Sequence, residues 1–200
     1  MQKKILSIAQ IRTLMKKGTP MIFGTDLLQS FYEYGQEALK ITMELNNKYH
    51  SPEKVRELFS KLIARKVDKD CLILPPFYTE FGKNIKLGKC VFINTCCHFQ
   101  DNGGIEIGDH TMIGSNVTIA TLNHEFAPEK RCNANPQPVK IGKNVWIGAN
   151  VTILPGVSIG DNSIIGAASV VTKDIPANTL AYGVPCKIIR KIKDGIKKSS

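Results

Sequence analysis

The chain has 200 residues, which suits one domain with a sizeable core, and its 42% hydrophobic and 22% charged residues are typical of a globular protein. Its net charge is +10 at pH 7, yet no helix-turn-helix, zinc-finger or aromatic–basic RNA-binding pattern is present, so we expect no nucleic-acid partner. The excess charge fits a small ligand carrying several phosphates, or simply a solvated charged face.

The start of the chain and its cysteines both bear on the cellular compartment. The N-terminal segment MQKKILSIAQIRTLMKKG has an apolar run that Gln10 and Arg12 interrupt. The run is too short and too polar for a secretory signal or a membrane span, so we expect a cytoplasmic protein without a membrane partner. The cysteines form no CxxC pair, and adjacent Cys96 and Cys97 do not suit a disulfide framework, so we expect reduced thiols and no zinc site.

Residues 1–75 are predicted to form an N-terminal helical region. The segment SPEKVRELFSKLIARKV begins with Ser51, a residue type that caps helices, followed by Pro52 at the first helical position and by apolar residues at helical spacing. Upstream, the segment DLLQSFYEYGQEALKITMELNN is also predicted to be helical. The stretch PPFYTEFG, residues 75–82, marks the change to a different pattern.

Residues 76–186 repeat a six-residue pattern, in which position one is large and apolar, position two is usually Gly and position five is small or β-branched. Position one falls on Phe81, Leu87, Ile93, Phe99, Ile107, Ile113, Ile119, Ile141, Ile147, Ile153, Ile159, Ile165 and Val171. A period of six matches neither an α-helix nor a hairpin, but it is typical of a solenoid with three short strands to a coil. We therefore predict an all-β solenoid, followed at residues 187–200 by a basic C-terminal tail that can cap the last coil.

Two positions of the repeat are expected to shape its corners. Position two is expected to need a positive φ, which would explain why Gly is common there, and Asn94 fits because Asn tolerates left-handed backbone geometry. His110 occupies position four, where several asparagines also occur, so we interpret it as a corner residue. His98 points outward at position six, and His50 precedes a helix.

Departures from the period are the places where a regular solenoid can carry a site. The longest is the stretch 123–138, NHEFAPEKRCNANPQP, which is predicted to be an external loop rather than a strand. His124 lies at the root of this loop, at an outward-facing position.

One outer face of the predicted coil is apolar at position six. The row consists of Phe92, Met112, Trp146 and Ile164. Because a soluble monomer rarely exposes such a row, we expect a subunit interface in a closed threefold ring. His124 would then lie near the edge of this face, in the groove between two subunits.

At this point the sequence resembles a known family, the hexapeptide-repeat acetyltransferases, specifically the galactoside/maltose O-acetyltransferase branch. The resemblance covers about residues 40–193 and rests on NNKYHSPEK, PPFYTEFGKNIKLGK, FIN, NVWIGANVTILPGVSIGDNSIIGAASVVTKDIP and YGVPCKIIRKI. It implies a left-handed parallel β-helix, assembled as a homotrimer with active sites between subunits. It also implies transfer of acetyl from acetyl-CoA to a hydroxyl of a sugar-like acceptor, without a metal.

The resemblance also implies roles for single residues. His124 matches the active-site histidine, and histidine suits a general base because it titrates near neutral pH. Asn94 matches an acceptor-binding Asn, and Asn102 stands where the family has an acceptor-binding Asp, with Asp101 beside it. Asp26 is a candidate for an N-terminal substrate Asp. The positions matching the coenzyme A site are Ala149, Ala167, Thr172, Lys173, Lys187, Arg190 and Trp146.

Three alternatives remain open on the sequence alone. A solenoid carbonic anhydrase would need three histidines converging on zinc, whereas this chain has four histidines and no second one in the long loop. A non-catalytic scaffold protein would retain the solenoid but have no catalytic activity. An acetyltransferase for another acceptor, such as an antibiotic hydroxyl, a serine or a surface polysaccharide, is the third alternative, since Asn102, Glu80 and the N-terminal region all differ from the sugar enzymes.

Overall fold

The first part of the chain is helical in the computed structural model, which describes residues 4–192. The α-helices are α1 (Ile8–Lys16), α2 (Asp26–Asn46) and α3 (Pro52–Ile63). Ser51 caps α3 by accepting a hydrogen bond from the Lys54 amide, and Pro52 is the first helical residue, so the predicted start is confirmed. The helix predicted over α2 is confirmed as well. Among the described residues, no helix combines the length and the hydropathy needed to traverse a bilayer.

The rest of the described chain is built from short strands. They are β1 (Leu72–Ile73), β2 (Phe77–Thr79), β3 (Ile85–Leu87), β4 (Phe92–Ile93), β5 (Cys97–Phe99), β6 (Ile105–Ile107), β7 (Met112–Ile113), β8 (Thr118–Ile119), β9 (Leu122–His124), β10 (Ala134–Pro136), β11 (Val139–Ile141), β12 (Trp146–Ile147), β13 (Thr152–Ile153), β14 (Ser158–Ile159), β15 (Ile164–Ile165), β16 (Val170–Val171), β17 (Thr179–Tyr182) and β18 (Lys187–Lys191). A 3₁₀ turn over Pro128–Lys130 separates β9 from β10.

Most of these strands form three sheets, which are the faces of a prism. Face one has the order β1-β4-β7-β12-β15-β17-β18, face two β2-β5-β8-β13-β16 and face three β3-β6-β11-β14. Strands of successive coils pair in parallel, so the predicted solenoid with three strands to a coil is confirmed. At the end of face one, β18 turns back and pairs antiparallel with β17. Residues 193–200 of the predicted basic tail lie outside the described residues.

The core runs through the prism and continues into the helices. Position-one side chains such as Ile93 and Ile147 are fully buried, and they belong to one cluster that also contains residues of α2 and α3. Phe59 of α3 packs edge-on against Phe77, which in turn packs edge-on against Phe99, with ring centroids 4.8 and 5.0 Å apart. The helical region therefore covers the first coil and shares its core.

The expected reason for glycine at position two is wrong for most of the repeat. Of the position-two glycines only Gly82 has a positive φ, and Asn94 does not have one either. The left-handed backbone occurs instead at position four, as at His110 and Asn150, with φ of 59° and 58°. Glycine is needed at position two because the next coil lies too close for a side chain: a Cβ on Gly148 would lie 2.6 Å from the Ala167 amide nitrogen. His110 is a corner residue, as predicted.

This close approach predicts that Gly148→Ala destabilises the protein by about 3 kcal/mol, because the atoms it meets are backbone and cannot move aside. Ala168→Gly is the matched control, since Ala168 already has a left-handed φ of 57°. Its effect on stability is expected to be about zero, because relief of the strained backbone offsets the greater freedom of glycine in the unfolded chain. Urea unfolding at fixed protein concentration measures both; equal losses for the two variants would contradict the explanation.

The apolar row on face one is present as predicted. Phe92, Met112, Trp146 and Ile164 are in register on neighbouring strands β4, β7, β12 and β15. In the isolated chain Met112 and Trp146 remain 49% and 52% exposed. Side chains of this size leave a continuous apolar stripe on the outside of the prism.

The long interruption is only partly the loop that the sequence predicted. Its two ends are strands, because β9 and β10 pair antiparallel with Ala134 opposite His124. The prediction that this stretch contains no strand is therefore wrong, although the segment between them projects from the prism and Phe126 is 94% exposed. We call residues 122–136 the hairpin. The backbone amides and carbonyls of its two strands bond to each other, whereas an unpaired projecting segment would bond to water instead.

Candidate active site

The hairpin is held in place by the segment between α1 and α2. The backbone of Met21 pairs with that of Ala134 through hydrogen bonds of 2.8 and 2.9 Å, which adds a third strand-like segment to the hairpin. Next to it, the Asn133 Oδ1 atom accepts a hydrogen bond of 2.9 Å from the Phe23 amide. The N-terminal region therefore fixes the position of the hairpin that carries His124.

We expect Asn133→Ala to loosen this connection without unfolding the protein. Loss of one hydrogen bond is worth about 1 kcal/mol, so the exchange rate of the Phe23 amide should rise about fivefold. Asn135→Ala is the control, because Asn135 Nδ2 donates to Glu125 Oε1 within the hairpin itself. Hydrogen exchange followed by mass spectrometry measures both variants. A similar rise in the exchange rate of the Phe23 amide in Asn135→Ala would show that the Asn133 contact does not hold the hairpin to the N-terminal region.

His124 has one hydrogen bond that decides its chemistry. Its Nδ1 atom lies 2.8 Å from the carbonyl oxygen of Arg131, across the loop of the hairpin. A carbonyl oxygen only accepts hydrogen bonds, so Nδ1 must carry the proton. In the neutral ring, Nε2 then has a free lone pair, which is the state that a proton acceptor requires.

His124 lines a cavity of about 550 Å³, a size that suits a small ligand. The hairpin forms one wall, α2 forms a second, and the residues that follow β2 and β5 form the floor. The lining includes the polar residues Tyr32, Glu80, Gln100, Asn102, His124 and Cys132. The cavity therefore joins three parts of the chain that are far apart in sequence.

Asp101 and Asn102 lie in a two-residue insertion, because position one of the repeat falls on Phe99 and next on Ile107, and their side chains have different partners. Asp101 is fully buried: its Oδ1 atom accepts hydrogen bonds from Thr79 Oγ1 and the amides of Phe81 and Gly82, and its Oδ2 atom from the amide of Asn84. Burial raises the pKa of this carboxyl group, against the effect of the hydrogen bonds. As an acceptor-binding residue Asp101 is a wrong candidate, because its oxygens are occupied inside the protein.

Asn102, in contrast, lines the cavity. The residue is 6% exposed, and its buried Oδ1 atom has no hydrogen-bond partner among the described residues. The neighbouring Asn84 Nδ2 donates to the backbone oxygen of Asn102 at 2.7 Å, which fixes the main chain but leaves the side-chain amide free. A buried polar atom without a partner is costly, so it marks a place where a ligand can supply the missing bond.

Two other predicted acceptor residues do not line this cavity within one protomer. Asn94 follows β4, is half-buried, and its Oδ1 atom lies 2.8 Å from the Thr95 amide. Asp26 begins α2, is exposed, and accepts a hydrogen bond of 3.2 Å from the Lys4 amide. One protomer therefore brings together His124 and Asn102, but not Asn94 or Asp26.

The predicted coenzyme A residues lie on the late coils, away from the cavity lining. Ala149 and Ala167 occupy position three of neighbouring coils, where the Ala168 amide donates to the Ala149 carbonyl oxygen at 2.9 Å. Thr172 and Lys173 follow β16 and are exposed. Lys187 and Arg190 are exposed on β18, and Trp146 belongs to the apolar row.

Several cavity residues were not predicted from the sequence. The sequence patterns do not point to Tyr32, Cys132 or Gln100, and they mark Glu80 only as a difference from the family. Gly35 was the available signal, because glycine inside a helix costs stability and usually has a packing reason. A Cβ at Gly35 would lie 3.1 Å from the Glu80 carbonyl oxygen, so this glycine allows α2 to approach the floor of the cavity.

Comparisons with known proteins agree with this architecture. The family model described as bacterial transferase hexapeptide (six repeats) matches residues 138–173. A galactoside O-acetyltransferase of Lactococcus lactis is 43% identical over 170 residues, which is 83% of this chain and 82% of the relative. Among solved structures, a maltose O-acetyltransferase from Clostridium difficile has a TM-score of 0.83 at 36% identity, covering 96% of this chain and 100% of the other. A galactoside acetyltransferase in complex with coenzyme A has a TM-score of 0.83 at 35% identity, covering 94% and 92%.

A prism of six-residue coils with a histidine-bearing hairpin defines a transferase of the hexapeptide class. The chain belongs to the hexapeptide-repeat acetyltransferase family, on its identity to galactoside O-acetyltransferases over most of both chains. The predicted left-handed parallel β-helix and the predicted acetyltransferase class are thereby confirmed.

Proposed function

We propose that the chain transfers acetyl from acetyl-CoA directly to a hydroxyl of a sugar-like acceptor, with His124 as the general base. The observation that carries the proposal is the hydrogen bond from His124 Nδ1 to the Arg131 carbonyl oxygen, at the edge of a cavity that suits a sugar. The galactoside and maltose O-acetyltransferases that resemble this chain support the choice of donor and acceptor.

The proposed reaction needs one proton acceptor and no enzyme nucleophile. His124 Nε2 takes the proton of the acceptor hydroxyl while that oxygen attacks the thioester carbonyl carbon. The tetrahedral intermediate then breaks its carbon–sulfur bond, and the imidazolium returns the proton to the leaving thiolate. The Arg131 carbonyl oxygen keeps the ring in one tautomer and orientation through both steps.

Acceptor binding is assigned to three residues. Asn102 offers its unpartnered amide to an acceptor hydroxyl inside the cavity. Asn94 and Asp26 keep their proposed acceptor roles as contributions from a neighbouring subunit, because neither lines the cavity of its own protomer. This assignment requires active sites between subunits, and we propose that the assembly is a homotrimer.

The apolar row on face one supports that assembly. A stripe that leaves Met112 and Trp146 half-exposed is suited to burial against a second copy of the chain. A closed threefold ring would cover it on every subunit. We further propose that the protein acts in the cytoplasm and requires no metal.

The late coils are proposed to bind coenzyme A. Ala149 and Ala167 leave room for the pantetheine arm, and Thr172 and Trp146 border its path. The side chains of Lys173, Lys187 and Arg190 are exposed and can bind phosphates. Lys187 supplies a point charge rather than the planar fork of an arginine.

Direct transfer predicts that no acetyl group becomes attached to Cys132, the thiol that lines the cavity. A nucleophilic thiol needs a base or a cation beside it, whereas the described contact of Cys132 Sγ is to Asn133 Oδ1 at 4.0 Å. Intact mass spectrometry after mixing with acetyl-CoA, without acceptor, is expected to show unmodified protein. An adduct that forms at Cys132 and disappears on adding acceptor would replace direct transfer by a covalent mechanism.

Thiol release from acetyl-CoA across a panel of acceptors tests the function as a whole. The panel contains galactosides, glucosides, maltose, chloramphenicol and serine. We expect release with at least one sugar and an ester product identified by mass spectrometry. Release with chloramphenicol or serine alone would keep the chemistry and change the acceptor. No release with any compound would favour a scaffold role.

A further inference from the structure

We infer that Glu80 and Asn102 together determine which acceptor this enzyme takes. In this assignment Glu80 supplies the carboxylate that binds a hydrogen-bond donor of the acceptor, either a hydroxyl or a protonated amine, next to the hydroxyl that is acetylated. The inference rests on the proposed function and specifies its acceptor site.

Glu80 is held in place from the neighbouring coil. β2 and β5 pair in parallel with Thr79 opposite Phe99, so Glu80 and Gln100 follow them side by side at the floor of the cavity. Gln100 Nε2 donates to Glu80 Oε1 at 3.0 Å, and Gln100 Oε1 lies 3.4 Å from the Thr121 amide. A glutamine bonded at both ends has a defined orientation, so it holds one carboxylate oxygen and leaves Oε2 for a ligand.

The cavity has an unusual charge for this chain. Although the whole protein carries a net charge of +10, Glu80 is the one carboxylate that a single protomer contributes among the described lining residues, and none of these residues is a lysine or an arginine. Asp26 from a neighbouring subunit, as proposed above, adds a second carboxylate and no cation. A negative group without a cation beside it repels anionic acceptors and attracts cationic ones. Neutral polyols remain acceptable, because a carboxylate oxygen also accepts hydrogen bonds from hydroxyls.

Asn102 complements this charge without adding to it. Its amide is neutral, and its buried end has no protein partner in the described chain. Whichever way the amide is turned, one polar end stays unpaired in the cavity wall, so a ligand group must complete it. A site with one carboxylate and one amide can form hydrogen bonds with two adjacent polar groups of the acceptor.

Helix α2 sets the distance at which an acceptor meets Glu80. Gly35 lets the helix approach the backbone of Glu80, where a Cβ would lie 3.1 Å from the carbonyl oxygen. Tyr32, one turn earlier, lines the same wall. An aromatic face beside a carboxylate suits a protonated amine as well as the ring of a sugar.

Methyl galactosides that differ at a single ring carbon test the inference. The series carries a hydroxyl, a hydrogen or an amino group at C2, C3 or C4, and binding is measured by ligand-observed NMR with coenzyme A present. At one ring carbon we expect wild-type binding to weaken about tenfold with hydrogen and to strengthen about tenfold with the amine. Glu80→Gln is expected to remove the gain from the amine.

Glu106→Gln is the matched control, because Glu106 lies on face three beside Lys86, at 3.8 Å, and outside the cavity. It should leave the wild-type order of hydroxyl, hydrogen and amine unchanged. Asn102→Ala should weaken binding of the hydroxyl compounds while the protein remains folded, since it removes a group that has no protein partner.

The outcomes separate this inference from the proposed function. Thiol release with an unchanged order of the three compounds in Glu80→Gln would overturn the inference and keep the function. If the three compounds bind in the predicted order but no thiol is released, the acceptor site stands and the proposed function is overturned. No binding of any galactoside by the wild-type protein would overturn the inference.

Discussion

Replacing His124 with alanine is expected to lower kcat/KM by a factor of about 10²–10⁴, because the acceptor hydroxyl loses its proton acceptor. The loss should appear mainly in kcat, because the base accepts the proton only as the reaction proceeds. The variant should stay folded, since His124 is exposed on the hairpin and its ring is not part of the core. Thiol release from acetyl-CoA, with the best acceptor of the panel, measures the change. Circular dichroism and oligomeric state should match the wild-type protein.

His110→Asn is the control for this prediction. His110 is an exposed corner residue at φ 59°, a backbone conformation that asparagine tolerates, so activity should stay within about twofold of wild type. Added imidazole should restore part of the activity of His124→Ala but not affect His110→Asn. Turnover of His124→Ala near the wild-type rate would remove His124 from the mechanism.

Asp101→Ala is expected to destabilise the protein by about 4 kcal/mol, the largest effect on stability that we predict. The substitution leaves the amides of Phe81, Gly82 and Asn84 without the acceptor that they have in the native structure. These donors lie where α2 and α3 cover the first coil, so water cannot easily replace the carboxylate.

Asp161→Ala is the comparison with an exposed aspartate. Asp161 is exposed, and its Oδ1 atom accepts a hydrogen bond of 2.8 Å from the Lys143 amide. Water can replace that bond, so its loss should cost less than about 1 kcal/mol. Urea unfolding at equal protein concentration measures both variants. Similar losses would mean that the buried carboxylate has no special structural role.

Asp101 and Asn102 show why part of the site could not be predicted from the sequence. Asp101 and Asn102 are adjacent, and the insertion that contains them is visible in the repeat, but the direction of each side chain depends on contacts with residues about twenty positions away. The structure turns the charged residue inward to the Thr79 hydroxyl and the amides of neighbouring coils. The neutral residue faces the cavity.

The hairpin, too, was predicted only in part from the sequence. Its place in the chain and its histidine were predicted, because the loop breaks a strict period. Its strand pairing was not, since Pro and Asn are typical of loops and the partner strand is ten residues away. The pairing of Met21 with Ala134 joins positions that no local pattern connects.

The repeating and local features of this protein can be predicted from its sequence. The period of six defines the coils, with Ile93 and Ile147 at equivalent core positions, and Ser51 with Pro52 defines the start of α3, because each depends on residues within one turn or one coil. The need for Gly148 in the packing of coils and the contact of Glu80 with Gln100 beneath α2 are visible only in the folded chain. Side-chain direction and close approach between coils depend on contacts over long sequence separations, which no local pattern contains.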